Sequence, residues 1–383
     1  MQKIDVICNF DKCTGCSACV NVCPTGAISM RECVAGFLYP KIDKDKCANC
    51  MECVKTCPVN NGVKPCKTNV GYSAFVTDKD ALKKSSSGGV FGALANAVFN
   101  ENGVVYGAVY DDKLKVVHVK ATNQTELDNI QGSKYVQSDK RETFKEIKTL
   151  LDKGESVLFS GCPCEVGGLK AYLRCDYNNL FTLDLVCHGV PSYKVFRAYV
   201  NGKPYGDKVV NVAFRDKRNG WENSTVRYDL FDGTEEIESY FDCKFLKGYI
   251  DNVYLRKSCY NCVFKGDARA SDITLGDLWG AKESGFVNVN ESGTSLVIVH
   301  TEKGAKFIDR LVKGGVLNIS NISVSDAYKH NPSAVESMPL TNKRAKFYKV
   351  FGVNNFDEAL KASYKSSFFE KVKYKLQNIF GKK

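Results

Sequence analysis

The chain has 383 residues, 44% hydrophobic and 11% aromatic, with a formal net charge of +11 from 54 basic and 43 acidic side chains. That length exceeds one ordinary domain, and that apolar content can bury a sizeable core, which excludes a disordered tail and a mini-protein. Eighteen cysteines are too sparse for a disulfide-stapled secreted scaffold and too many for an average cytosolic enzyme, so metal or redox chemistry is expected.

The amino terminus has no apolar leader core, and no stretch approaches the roughly 18 apolar residues of a membrane span. A cytoplasmic location is expected, where thiols stay reduced and free to bind metal. Residues 341–383 carry eleven Lys or Arg against three acids, so most of the net charge sits in a tail. No aromatic and basic platform accompanies it, and nucleic-acid binding is not expected.

Eleven cysteines lie in residues 1–66, none in 67–161 and seven in 162–262. The first block reads Cys13, Cys16, Cys19, Cys23-Pro24 and repeats as Cys47, Cys50, Cys53, Cys57-Pro58, each a C-x2-C-x2-C-x3-C-P run. Three thiolates on one tight loop cannot surround a cubane, so each 4Fe-4S cluster takes its fourth ligand from the other run. In such a two-cluster ferredoxin, Cys13, Cys16 and Cys19 share a cluster with Cys57, while Cys47, Cys50 and Cys53 share one with Cys23. Zinc ribbons use separated knuckles and do not call for the third and fourth cysteines. Cys8, Cys33 and Cys66 fall outside the pattern and read as ordinary thiols.

After Lys64-Pro65 the pattern predicts a strand over Val70 to Val76. A Ser85-Ser86-Ser87-Gly88-Gly89 loop follows, then a helix with Val90, Phe91, Leu94, Ala95, Val98 and Phe99 on its stripe. Such a loop offers backbone N–H groups to a phosphate, or it is a plain serine cap. No GxGxxG follows a strand, so a nicotinamide site is not expected. Strands are predicted from Gly103 to Tyr110 and Val116 to Ala121, and a helix from about Lys140 to Lys153. Next, a strand over Ser156 to Ser160, a helix from Glu165 to about Arg174 and a strand over Leu180 to Val186 make a βαβ crossover. That unit brings Cys164 and Cys187 to the carboxyl edge of a parallel sheet, where ligands collect. With Cys259 and Cys262 they make four ligands, enough for a third 4Fe-4S cluster or for structural zinc; the upstream ferredoxin pattern favours the cluster. Cys162, Cys175 and Cys243 have no evident partner.

Through SSSGGVFGALANAV, GSKYVQS, FSGCPCEVGGLKAYL, DLVCHGVPS and SCYNCVFKGDARASDITLGDLWG, residues 70 to about 320 resemble the coenzyme F420 hydrogenase/dehydrogenase beta-subunit family. The resemblance implies FAD, one cluster beside the isoalloxazine and hydride exchange with an organic partner. It assigns cluster ligation to Cys164, Cys187, Cys259 and Cys262. Flavin binding goes to Ser86, Ser87, Gly88 and Gly89, to the Lys134, Tyr135 and Gln137 stretch, and to Gly276 and Asp277. The family's Gly-Thr-Pro-Cys is here Gly161-Cys162-Pro163-Cys164, so Cys162 either fills threonine's place or has a ligand or redox role. His188, next to a proposed ligand, is the candidate catalytic proton donor, against a role in holding backbone near the cluster. Trp279 and the Arg215 to Trp221 stretch are candidate lining for the substrate pocket.

The expected fold is α+β and multidomain. Residues 1–66 form a bacterial-type two-cluster ferredoxin fold, 67–340 an α/β flavin and iron-sulfur catalytic domain with a mixed sheet, and 341–383 a basic amphipathic helical tail. The expected function is an iron-sulfur flavoprotein oxidoreductase. It relays single electrons between an external ferredoxin and FAD and exchanges a hydride equivalent with coenzyme F420 or another small molecule. The alternative is a non-catalytic electron-transfer subunit docked on a larger oxidoreductase. Phe368, Phe369, Val372, Leu376, Ile379 and Phe380 make an apolar helical stripe beside lysines, which either packs on its own domain or docks peripherally on an anionic membrane or acidic partner.

Overall fold

Four neighbouring parallel strands, Val104–Tyr110, Val157–Gly161, Leu180–Leu185 and Ile273–Asp277, form the centre of an eight-stranded mixed sheet. Val116–Ala121 closes one edge antiparallel. Ser295–Val299, Val70–Val76 and Leu317–Ile322 extend the other, also antiparallel. The computed structural model describes residues 6–66, 69–352 and 355–365. The run Ser-Leu-Val-Ile-Val at 295–299 is buried at every position, as a central strand covered on both faces requires.

The predicted crossover is present, and its helix runs Pro163–Leu173. It starts two residues before the expected point because Pro163 presets the first helical φ and the Glu165 carboxylate accepts the Cys162 N–H at 2.8 Å. Cys164 therefore sits in the first turn. The helix buries Val166, Gly167, Gly168, Leu169 and Leu173, so little of its circumference is polar, the pattern of a helix sandwiched between layers. Val166 and Leu169 meet Phe144 and Phe159 beneath it. Gly168 meets the amino-terminal unit above: a Cβ there would lie 2.8 Å from the Cys16 Cβ.

Residues 6–66 form that unit, with helices Ala18–Val22, Glu52–Lys55 and Pro58–Asn61 and an antiparallel hairpin, Ile28–Glu32 with Leu38–Ile42. Pro58 opens a helix of its own, in the N1 position that tolerates a missing N–H.

A second sheet, not anticipated from the sequence, pairs Val209–Asp216, Thr225–Leu230 and Glu235–Ser239 antiparallel. Val212, Phe214, Val226 and Tyr228 share a core with Phe245 and Tyr254, and with Phe347, Phe356 and Leu360 from helices Asn342–Val350 and Phe356–Ser363. Part of the expected tail thus packs into this core. The Phe368 to Phe380 stripe lies outside the described residues. No helix among the described residues is long and apolar enough to cross a membrane.

Candidate functional site

The two cysteine runs of the amino-terminal unit fold alike. Gly15 and Asn49 hold φ of 71° and 55° at matching positions, and Ser17 and Met51 hold 67° and 63°. Three of these are non-glycine residues in a conformation that costs about 1–2 kcal/mol each. Loops of this kind turn successive N–H groups inward and make concavities suited to anions and iron-sulfur clusters. Cys23, Cys47, Cys50 and Cys53 line one small cavity with Ile28 and Ile42. The Ala27 and Asn49 N–H groups point at Cys23 and Cys47 sulfur at 3.3 and 3.4 Å. Cys50 is exposed, whereas Cys13, Cys16 and Cys57 are buried.

Cys13, Cys16, Cys19 and Cys57 lie close enough that each thiolate's charge acts on the others. A hydrogen bond from Cys8 lowers the Cys13 thiol to about 6 against burial, helped by the Arg256 charge, and lowers Cys57 to about 7. Both shifts favour the thiolate, the form that binds metal. Cys8, read from the sequence as an ordinary thiol, is therefore a neighbour of this set.

The third group is assembled by the sheet edge. Burial raises the Cys164, Cys259 and Cys262 thiols, Cys259 to about 12, and Cys187 acts electrostatically on all three. Cys187 shifts downward because Cys162, 3.8 Å away sulfur to sulfur, hydrogen-bonds to it. Cys162 is thus a fifth thiol at this group. Among the described residues no three Cys, His, Asp or Glu side chains converge tightly enough to hold a lone metal ion. The donor sets, all thiol and four or five per group, suit iron-sulfur clusters.

Beside Cys164 runs a buried polar chain. Lys140 Nζ lies 2.5 Å from Glu165 Oε1 and 2.5 Å from the Ser138 carbonyl. His118 contacts Ser138 Oγ at 2.6 Å and the Ser160 carbonyl at 3.0 Å.

A cleft of about 1670 Å³ opens between the two sheets, larger than the roughly 300–1,000 Å³ of a drug-sized site. Arg215, Trp221 and Trp279, singled out from the sequence, line it. So do Asn211, Arg227 and Asn290, which no sequence pattern marks. Trp221 and Trp279 stack with centroids 4.8 Å apart, and the Arg215 guanidinium lies 5.0 Å over Trp279. Arg215 Nη2 is 3.5 Å from Asp277 Oδ2, yet its Nε and Nη2 and the Trp221 Nε1 are buried without hydrogen-bond partners. Orphaned donors of this kind fit an acceptor-rich ligand such as the diphosphate and ring system of FAD. Lys217 is already occupied, donating to the Leu82, Ser87 and Ser292 carbonyls at 2.7, 2.9 and 2.7 Å.

The residues singled out for flavin divide. Ser86 and Lys134 line the cleft. The Lys134 ammonium donates to the Asn129, Ile130 and Gln131 carbonyls and so caps the Gln124–Ile130 helix. Ser87 and Gly88 fasten the loop to the neighbouring strand through Thr294 and Ser295, and a Cβ on Gly88 would lie 2.3 Å from the Ala74 carbonyl. Gly89, at φ 82°, starts the Val90–Phe99 helix. Gly276 packs on Val186, and Asp277 pairs with Arg215. Gln137 faces the amino-terminal unit, accepting the Leu38 N–H at 3.1 Å.

Tyr135 stands behind the cleft wall and leads inward, its ring 5.0 Å from Tyr249. Tyr249 lies 4.8 Å from the His188 ring and is close enough to Cys187 to feel its charge. His188 is not a lining residue of the cleft. Its Nε2 meets the Tyr249 carbonyl at 3.1 Å and its Nδ1 the Ser333 hydroxyl at 3.4 Å. Burial, reinforced by the Lys265 charge, pushes it to about 4, so it is neutral at physiological pH.

Residues 71–143 match the N-terminal part, and residues 154–325 the C-terminal part, of the coenzyme F420 hydrogenase/dehydrogenase beta subunit. Residues 12–61 match a 4Fe-4S dicluster domain. The chain is similar to the coenzyme F420 hydrogenase subunit beta of Methanococcus voltae, 25% identical over 280 residues, covering 71% of this chain and 90% of that protein. It shares its fold with a chain of the xenon-derivatised F420-reducing NiFe hydrogenase complex from Methanosarcina barkeri. There the TM-score is 0.50 at 20% identity, covering 72% of this chain and 90% of the other. With both halves matched in order behind a dicluster domain, the chain belongs to the coenzyme F420 hydrogenase/dehydrogenase beta-subunit family as an iron-sulfur electron-transfer protein.

Proposed function

We propose that the chain is a cytoplasmic iron-sulfur flavoprotein oxidoreductase that moves single electrons between an external ferredoxin and FAD. It exchanges a hydride equivalent with coenzyme F420 or another small organic molecule. The observation that carries this reading is continuity. Thiol groups run from exposed Cys50, through buried Cys13 and Cys16 and across the Pro163–Leu173 helix, to Cys164 and Cys187, and Tyr249 and Tyr135 continue to the cleft.

Three 4Fe-4S clusters on the twelve cysteines would supply one-electron transfer, and FAD in the cleft would supply two-electron storage with hydride exchange. The protein's part is placement. Arg215 and Trp221 present unpartnered donors to the ligand, the Trp221–Trp279 stack forms a flat wall, and Asp277 fixes the guanidinium. His188, neutral and held at both nitrogens, orients the Tyr249 segment against Cys187.

Anaerobic reconstitution should give about twelve iron per chain and one noncovalent FAD. Arg215→Met should lose flavin and keep iron. Reduced protein should then reduce a deazaflavin or an unsaturated small molecule. Because the relatives are named as a subunit and as part of a complex, the competing outcome is definite. Reduced protein that reacts only with another protein would make this a non-catalytic electron-transfer subunit.

A further inference from the structure

Two basic side chains are fully buried between the inner thiol set of the amino-terminal unit and the thiol group at the sheet edge. Lys140 is neutralised by Glu165 at 2.5 Å. Arg256 is not neutralised: it is wholly inaccessible to solvent, and among the described residues no carboxylate pairs with it. Its Nε donates to the Cys13 carbonyl at 2.7 Å, its Nη2 lies 3.7 Å from Cys13 Sγ, and its Nη1 has no partner. Tyr39 faces the guanidinium at 4.0 Å and Phe37 at 5.6 Å, so its surroundings are aromatic. Gly15, at φ 71°, leaves space that Nη1 shares with the Gln137 amide, since a Cβ there would stand 3.1 Å from Nη1 and 2.4 Å from Gln137 Nε2. Arg256 also accepts the Cys259 N–H through its carbonyl at 3.0 Å, so one residue touches both thiol groups.

A buried, unpaired guanidinium is strongly unfavourable unless a counter-charge is supplied. The negative charge that four thiolates bring to a bound 4Fe-4S core is the one available at this place. We propose that Arg256 is the fixed counter-charge of the Cys13, Cys16, Cys19 and Cys57 cluster and raises its potential above that of the Cys23, Cys47, Cys50 and Cys53 cluster. The inference rests on the relay reading above. Each transfer is one electron: the outer set loses it, the inner set gains it, and no bond or proton moves. The reduced inner set carries one more negative charge, and the cation beside it stabilises that state. An electron arriving at exposed Cys50 is thereby drawn inward toward Cys164.

The test is a redox titration of the anaerobically reconstituted full-length protein, followed by electron paramagnetic resonance, with iron assayed in parallel. Cys50→Ala identifies which ferredoxin-type signal is the outer one. In Arg256→Gln the inner signal should become at least tenfold harder to reduce at fixed potential, about 59 mV for one electron, while the outer signal stays in place. Arg256→Lys should recover most of the shift. If Arg256→Gln instead loses iron, Arg256→Lys decides: retention of about twelve iron supports the counter-charge, and loss from both variants overturns it in favour of shape. Wild-type iron content of about twelve with unshifted potentials in Arg256→Gln overturns this inference alone. A wild-type protein that takes up no iron overturns the relay reading and this inference with it.

Discussion

Replacing Lys140 with Met should cost about 3–5 kcal/mol of stability, the range for removing one partner of a buried ion pair. At the 2.5 Å separation of Nζ and Oε1, the attraction is about 7 kcal/mol for an effective dielectric of about 20. Desolvating both charges offsets most of that, so the intact pair is close to neutral in net terms. The asymmetry arises because Lys140→Met leaves a buried Glu165 that either stays charged without its counter-ion or must take up a proton, both unfavourable, with the Cys162 N–H at 2.8 Å and His118 as its remaining neighbours. Glu165→Gln in the same background removes that charge while its amide oxygen still accepts from Cys162. The double variant Lys140→Met/Glu165→Gln should therefore regain about 2 kcal/mol over Lys140→Met alone. Urea unfolding followed by tryptophan fluorescence reads both values, with Trp221 and Trp279 on the cleft wall reporting the loss of the fold. A loss below about 1 kcal/mol for Lys140→Met, or simple additivity in the double variant, would refute the reasoning. The pH dependence follows from the same pair. Burial pushes the Glu165 carboxyl up, but the Lys140 charge reverses this and holds it below its ordinary value. Its contribution is present above the usual carboxylate range and is lost as the pH falls through the lowered folded value.

Cys50→Ala should reduce iron from about twelve to about eight per chain without loss of flavin, as judged by metal assay and absorbance. Gly168→Val should lower both stability and iron content, since its Cβ would press on Cys16 and overpacking costs about 1–3 kcal/mol; thermal melting and iron assay check it. His188→Gln should leave the pH profile of hydride exchange unmoved, because both ring nitrogens are already engaged and the imidazole is neutral. A shifted profile would restore His188 as proton donor. Removing residues 365–383 separates the two readings of the tail stripe: retained cofactor content with lost sedimentation on anionic vesicles at low salt marks docking, and an insoluble truncation marks a stripe packed on its own domain. A full-length protein that never sediments refutes the membrane role.

Spacing made the 4Fe-4S dicluster domain legible, because a ligand set on one short loop leaves a local record in sequence. The crossover was legible for a similar reason: strand, turn and helix periods change within a few residues of Cys164. The cleft was only half legible. Its far wall is the sheet Val209–Asp216, Thr225–Leu230 and Glu235–Ser239, and no local pattern says which distant strands face the Ser86 loop. Gly88 shows how one residue can serve two readings. Its lack of a side chain serves the close approach of the Ala74 carbonyl, a packing demand that reads in sequence like a phosphate loop. Arg256 carried no signal at all, since a single arginine before a knuckle looks like any surface charge until its burial is known.

The Pro163–Leu173 helix has a consequence for motion. Domains joined by a linker normally swing unless a large apolar interface locks them. Here one helix serves as the floor of the amino-terminal unit and the roof of the mixed sheet, with Gly168 seated on Cys16. The iron-sulfur unit is therefore no tethered carrier that must diffuse between docking positions. Raising solvent viscosity should therefore slow only encounters with outside partners and leave the internal hop to the sheet edge proposed above unchanged.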